Sequence, residues 1–149
     1  MRQVWFCLAC VLVTPVVAMA QGSVCSEQTI RDAVEKHTAK LTDDAFFWSG
    51  RFDKPLIGKA EGEEAEKKVE VESPRKNEVS SQHPQHIDVS KSGDMAYEYG
   101  TGELSFDDQK TGKHVAVQTG YLRVWKVVSS ECKVAATMIR PIESTRKTN

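Results

Sequence analysis

Histidines are the first residues to consider as metal ligands or proton carriers in this chain. His83 and His86 flank a proline in the segment His83-Pro84-Gln85-His86, while His37 and His114 are distant in sequence. Pro84 excludes a regular helix here, so the spacing does not bring both imidazoles onto one helix face. Zinc sites need at least three protein ligands, and the sequence places no third one. We therefore expect solvated loop histidines, no metal site and no cofactor.

Carboxylates opposite phenols are the next pattern that could support chemistry, as a general base facing a group that stabilises an enolate. Tyr97, Tyr99 and Tyr121 supply phenols in the C-terminal half. Glu98 alternates with two of them and would face the other side of a strand, while Asp94 is typical of a turn. The sequence therefore identifies no catalytic residue and leaves open whether the chain is an enzyme. It also contains no nucleophile elbow and no phosphate-binding glycine loop.

Arg123 is a cation within the aromatic segment Tyr121-Leu122-Arg123-Val124-Trp125. A cation on an aromatic face is costly unless it is paired or holds an anion. In one interpretation Arg123 anchors a carboxylate or similar group of a ligand. In the other it stacks on Tyr97 or Trp125 and reaches solvent with its stem buried. Only the first interpretation predicts that Arg123→Ala weakens binding of an anionic ligand.

The N-terminal residues have the pattern of a secretory signal peptide. Arg2 precedes an apolar run over residues 5–17, and Ala18-Met19-Ala20 places small residues where signal peptidase cleaves. The run is shorter than the ~20 residues of a spanning helix. We expect residues 1–20 to be removed and the mature protein to be secreted or periplasmic, without membrane association.

Two cysteines, Cys25 and Cys132, remain after this cleavage, because Cys7 and Cys10 lie in the signal peptide. An even pair in an oxidising compartment predicts a disulfide, although two free buried thiols are the alternative. A bridge closing a loop of about 100 residues stabilises a fold by up to ~4.7 kcal/mol in the chain-entropy model.

The elements that must position these residues fit one domain over residues 21–143, followed by a frayed tail over residues 144–149. The chain has 149 residues, with 20 Lys+Arg against 21 Asp+Glu, so no basic field supports nucleic-acid binding. Ser26 is a good N-cap for an amphipathic helix of about four turns, and its apolar stripe is Ile30, Ala33, Val34, His37 and Leu41. A buried strand over 45–48, a polar second helix after Gly62 and a loop over 73–85 follow.

The C-terminal half predicts an antiparallel meander with strands near 87–90, 95–106, 115–128 and 132–139. The expected fold class is therefore α+β, a curved antiparallel sheet that forms a cone capped by the N-terminal helix. If the hairpins centre near Lys110 and near Ser129-Ser130, Gly100 opposes Gly120 and Trp125 opposes Val134. Glu98, Lys126 and Lys133 then lie on the far side. The helix side carries the predicted ligand-binding set, which Trp48 of the first strand joins: Trp48, Tyr97, Tyr99, Tyr121, Arg123, Trp125 and Met138.

Several segments of this half resemble the SnoaL-like domains of the nuclear-transport-factor-2-like superfamily, with the domain of unknown function 4440 as the nearest group. The segments are 93–100, 111–113, 121–126, 133–136 and Pro141. The resemblance implies a cone of curved sheet capped by helices, often dimeric, in a family of isomerases, cyclases, hydrolases and association domains. One departure is Cys132, where the family commonly has Trp.

Three functions follow as hypotheses from this resemblance. The first is an exported domain that binds a small, partly apolar ligand in the cone. The second is an isomerase, dehydratase or cyclase that uses the same cavity, and the third is a non-catalytic homodimeric association module. A carboxylate that faces inward beside a tyrosine would favour the enzyme, whereas a sealed cavity would favour the association module.

Overall fold

The computed structural model describes residues 25–142 and 147–148, so the predicted signal peptide lies outside the described residues. These residues form two helices and seven strands in the order α1 (Glu27–Glu35), β1 (Leu41–Ser49), β2 (Leu56–Ile57), α2 (Lys59–Glu72), β3 (Arg75–Val89), β4 (Met95–Asp108), β5 (Lys113–Val128), β6 (Glu131–Pro141) and β7 (Lys147–Thr148). β7 lies within the segment expected to fray.

The strands form one curved sheet in the order β2-β1-β6-β5-β4-β3, and β7 pairs with β5. The pairs are antiparallel except for β1 and β6, which run parallel. α1 packs on the concave side, so the predicted α+β class is confirmed. Among the described residues, no helix has the length and apolarity to span a membrane.

α1 begins as the sequence predicts and ends earlier. The Ser26 hydroxyl accepts a hydrogen bond from the Thr29 backbone N–H, which caps the first turn. His37 has a φ of 53°, and the Thr38 and His37 N–H groups donate to the Ala33 and Val34 carbonyls. This is a Schellman motif with histidine at the left-handed position, and it ends the helix before the end of the apolar stripe.

The disulfide prediction is confirmed, because Cys25 and Cys132 are bonded with their Cα atoms 5.1 Å apart. The bridge joins the start of α1 to β6, and it lies in the core beneath α1. That core contains buried side chains from the helix and the sheet: Cys25, Ile30, Val34, Ala96, Trp125 and Val134.

β3 replaces most of the loop expected over residues 73–85, so that expectation is wrong. The two prolines and many polar residues of this segment misled the prediction, because proline cannot donate to a strand ladder. β3 is an edge strand, however, and its register shifts between Pro84 and His86, where a missing N–H is tolerated. A second shift between Lys76 and Val79 contains Asn77 with a φ of 51°.

The register between β4 and β5 differs by one residue from the predicted one. Glu98 opposes Arg123 and Gly100 opposes Tyr121. The loop between Asp108 and Lys113 has four residues, so the hairpin is centred between two residues and not on Lys110. A one-residue shift exchanges the faces of a strand. Tyr97 and Tyr99 are therefore on the convex side, and their predicted placement beneath the helix is wrong.

β5 and β6 keep the predicted register at one end only. Trp125 opposes Val134 as expected, but a bulge follows, and Leu122 opposes Met138. Met138 consequently lies on the convex side. Trp48 is next to Met138 in the parallel pair and its ring lies 4.4 Å from the Arg140 guanidinium carbon, so it also lies outside the cone.

Candidate functional site

A cavity of about 570 Å³ occupies the part of the concave face that α1 leaves uncovered. Its walls come from β1, β3, β4, β5 and β6, and it is open to solvent. Its wall combines polar and charged side chains with an apolar group that includes Phe47, Leu104, Phe106, Val115, Val117 and Ile139. Its volume falls within the range of small-molecule sites.

Charged side chains surround the mouth of the cavity. Arg51 follows β1, and its Nη1 lies 3.1 Å from Glu78 of β3 and 3.5 Å from Glu66 of α2. The Arg75 guanidinium lies 4.3 Å from the centre of the Phe106 ring and 3.8 Å from Glu78. These ion pairs join three elements around the opening, while α2 itself has no buried residue.

A buried polar cluster separates the cavity from the core beneath α1. Arg123 donates from Nη1 to Glu98 Oε1 at 2.9 Å and from Nη2 to the side-chain oxygen of Gln82. Glu98 is fully buried and the Arg123 side chain is 11% exposed. Gln82 also lines the cavity, so the cluster runs from the cavity floor to the helix core.

The environment of Glu98 opposes its ionisation. Burial raises the pKa of Glu98 above its ordinary value of 4.5, although the hydrogen bond and the charge of Arg123 act in the other direction. Burial and the Glu98 charge together raise the pKa of Tyr121 to about 12. Glu98 Oε2, Tyr121 Oη and Trp125 Nε1 form no hydrogen bond within the described part of the chain.

Two glycines of β4 provide the space for this cluster. A Cβ at Gly100 would lie 2.2 Å from the His83 carbonyl oxygen and 2.9 Å from Tyr121 Oη. At Gly102 it would lie 2.4 Å from the Ser81 carbonyl oxygen and 3.1 Å from Thr119 Oγ1. The two glycines therefore permit a close approach of β3, and side chains from both neighbouring strands extend over them.

The seven residues of the predicted ligand-binding set separate into two groups. Tyr121, Arg123 and Trp125 lie on the concave side as expected, and Arg123 stacks on Tyr121, 5.0 Å from its ring centre. The others lie on the convex side: Trp48, Tyr97, Tyr99 and Met138. Among the residues that the structure describes, none of the seven lines the cavity. Their role in ligand binding stays a prediction.

Sequence reasoning missed Glu98 and Gln82, for two separate reasons. Glu98 was placed on the far side by the register error, and Gln82 was placed in a loop because its segment contains two prolines and many polar residues. The sequence offered no signal for the register, because composition does not determine whether the loop between Asp108 and Lys113 has an even or an odd number of residues. His83 and His86 lie in β3 and His114 in β5, whereas His37 follows α1. No group of three possible metal ligands occurs within the described ranges.

The convex face carries a patch of half-exposed apolar side chains, which we call the convex patch. Its members are 36–50% exposed: Met95, Tyr97, Tyr99, Leu122 and Met138. His86 of β3 stacks on Tyr99 at 5.2 Å between ring centres. An apolar surface of this kind is typical of a protein–protein contact.

Solved structures with this architecture are numerous, although no family model and no curated protein matches the sequence. A ketosteroid isomerase-like protein from Erwinia carotovora atroseptica has a TM-score of 0.58 and 16% identity, over 84% of this chain and 98% of that chain. A nuclear transport factor 2-like superfamily protein from Salmonella enterica has a TM-score of 0.57 and 10% identity, over 76% of this chain and 83% of that one. This chain has the nuclear transport factor 2-like fold.

Enzymes are among the proteins with the nuclear transport factor 2-like fold that this chain matches. The type 3 hexachlorocyclohexane dehydrochlorinase from Novosphingobium barchaimii has a TM-score of 0.56 and 11% identity, over 79% of this chain and 86% of that chain. The TM-scores establish the shared fold. Identities this low do not allow functional residues to be transferred to this chain.

Proposed function

We propose that this protein binds a small, partly apolar molecule in the cavity of its nuclear transport factor 2-like fold. The open cavity of about 570 Å³ on the concave face carries the proposal. Its wall offers apolar contacts from aromatic and aliphatic side chains, uncharged polar contacts from Ser80, Gln82 and Thr119, and charged groups near the mouth. Small-molecule sites combine apolar contacts with polar groups that orient the ligand.

Binding of naphthalene, followed by NMR titration, tests this proposal with a cavity-filling variant. Val117→Phe places an aromatic ring in the cavity and is expected to abolish binding, because the probe and the new ring compete for one space. Val79→Phe is the matched control, since Val79 is 64% exposed and does not line the cavity. Unchanged binding by Val117→Phe would contradict the proposal.

An isomerase, dehydratase or cyclase is the second candidate, and the inward-facing Glu98 beside Tyr121 favours it. The dehydrochlorinase is an enzyme with the same fold. Glu98, however, does not line the cavity, and one of its oxygens is bonded to Arg123. A general base must reach the proton that it removes, so we rank ligand binding above catalysis.

A homodimer is the third candidate, and the convex patch favours it. A second copy of the chain would cover side chains that are now 36–50% exposed. This assembly is compatible with ligand binding, because the patch and the cavity lie on opposite faces of the sheet. The proposed site of action is a secreted or periplasmic one, which the Cys25–Cys132 disulfide supports.

A further inference from the structure

The orientation of the Gln82 side chain is set by its neighbour. Arg123 has N–H donors and no acceptor, so the group of Gln82 that meets it must be the carbonyl oxygen. Glu98 fixes Arg123 in turn through a buried ion pair at 2.9 Å. The amide of Gln82 therefore cannot exchange its oxygen and nitrogen without losing the bond to Arg123.

The hydrogen bond between Arg123 and Gln82 crosses the strand that lies between their own strands. Arg123 lies on β5 and Gln82 on β3, with β4 between them, and Gly100 and Gly102 leave the surface of β4 without side chains there. Gln82 and Thr119 oppose Gly102 from its two sides and both line the cavity. With its oxygen bonded to Arg123, the group that Gln82 offers to the cavity is its NH2.

We infer that Gln82 is a hydrogen-bond donor on the cavity floor that selects ligands with an acceptor, such as a carbonyl, at the inner end of an apolar body. This inference rests on the proposed function. Arg123 and Glu98 are positioning residues, because they hold the amide and touch no ligand. Hydrogen bonding of the amide oxygen to a cation also polarises the N–H groups and strengthens their donation.

Three probes of similar shape test this selection by NMR titration: naphthalene, acetylnaphthalene and protonated naphthylmethylamine. The wild-type protein is expected to bind acetylnaphthalene most tightly, since only its carbonyl accepts from Gln82. Gln82→Glu keeps the bond to Arg123 and replaces the NH2 donor by an acceptor. Acetylnaphthalene should then bind about fivefold to tenfold more weakly, the scale of one lost hydrogen bond, while the amine gains affinity and naphthalene is unchanged.

Gln118→Glu is the matched control, because Gln118 is exposed and does not line the cavity. It makes the same change in charge and should leave all three affinities unaltered. Arg123→Met should release the amide and reduce the preference for acetylnaphthalene over the amine, and Gln82→Glu remains decisive if that variant does not fold. Equal binding of the three probes, or no effect of Gln82→Glu, would overturn the inference and leave the proposed function standing. Failure of the wild-type protein to bind any probe would overturn both.

Discussion

Glu98 is the residue at which burial and charge pairing are most directly opposed. Its folded pKa lies above the ordinary value of 4.5, so stability from the protonated buried carboxyl is fully present below pH 4.5. That stability is lost as the pH rises through the folded pKa. Asp32, Asp94 and Asp107 have pKa values below their ordinary value of 3.8. The stability that their carboxylates contribute is therefore lost only as the pH falls below that value.

We expect Glu98→Gln to remove this decline in stability above pH 4.5, because the amide does not titrate. Urea unfolding at a series of pH values up to neutrality measures the effect as a change in the pH profile, independent of any uniform loss from altered packing. Glu64→Gln on α2 is the control, since Glu64 is exposed. A pH profile of stability for Glu98→Gln that parallels the wild-type profile would show that Glu98 does not cause the decline in stability above pH 4.5.

The sequence predicted the local roles of single residues more successfully than their positions in the sheet. The N-cap at Ser26 and the disulfide depend on local composition and on compartment, and both were predicted. The face of the sheet on which Glu98 lies depends on whether the loop over 109–112 has an even or an odd number of residues, and composition does not determine this. The position of Gln82 in a strand depends on β3 being an edge strand that accepts Pro84, and this is a property of the finished sheet.

At the scale of elements, the cavity depends on how closely β3 approaches β4. Gly100→Ala is expected to lower the free energy of unfolding by about 1–3 kcal/mol, the usual range for overpacking. The added Cβ would lie 2.2 Å from the His83 backbone oxygen, so the strand itself has to move.

Gly62→Ala is the matched control for this substitution. A Cβ at Gly62 of α2 meets nothing within 4 Å, and alanine is favoured over glycine in a helix by about 0.5–1 kcal/mol. Thermal unfolding should therefore shift in opposite directions for the two variants. Equal shifts would show that the approach of β3 does not limit the packing at Gly100.

At the scale of the whole molecule, the two faces of the sheet present different features. The concave face holds α1 and the cavity, whereas the convex face carries the convex patch. We expect the protein to be a dimer in sedimentation experiments and Leu122→Glu to be monomeric, because a carboxylate at the centre of an apolar contact is desolvated without a partner.

Val71→Glu is the control for the dimer, since Val71 lies on α2 and is 86% exposed. It makes the same change in charge outside the convex patch and should stay dimeric. A monomeric wild-type protein would remove the association function and leave the cavity proposals unaffected. A Leu122→Glu variant that stays dimeric would place the contact on another surface.

The parallel pairing of β1 with β6 sets the order in which the chain can fold. β1 is the first strand that the structure describes, yet its long neighbour in the sheet is β6, which follows β3, β4 and β5. The disulfide adds a second contact across a sequence separation of 107 residues. Such nonlocal contacts slow folding, because loop closure precedes the gain from pairing. During synthesis β1 can pair with β6 only after β6 has emerged, whereas the hairpins from β3 to β6 each join strands that are consecutive in the chain.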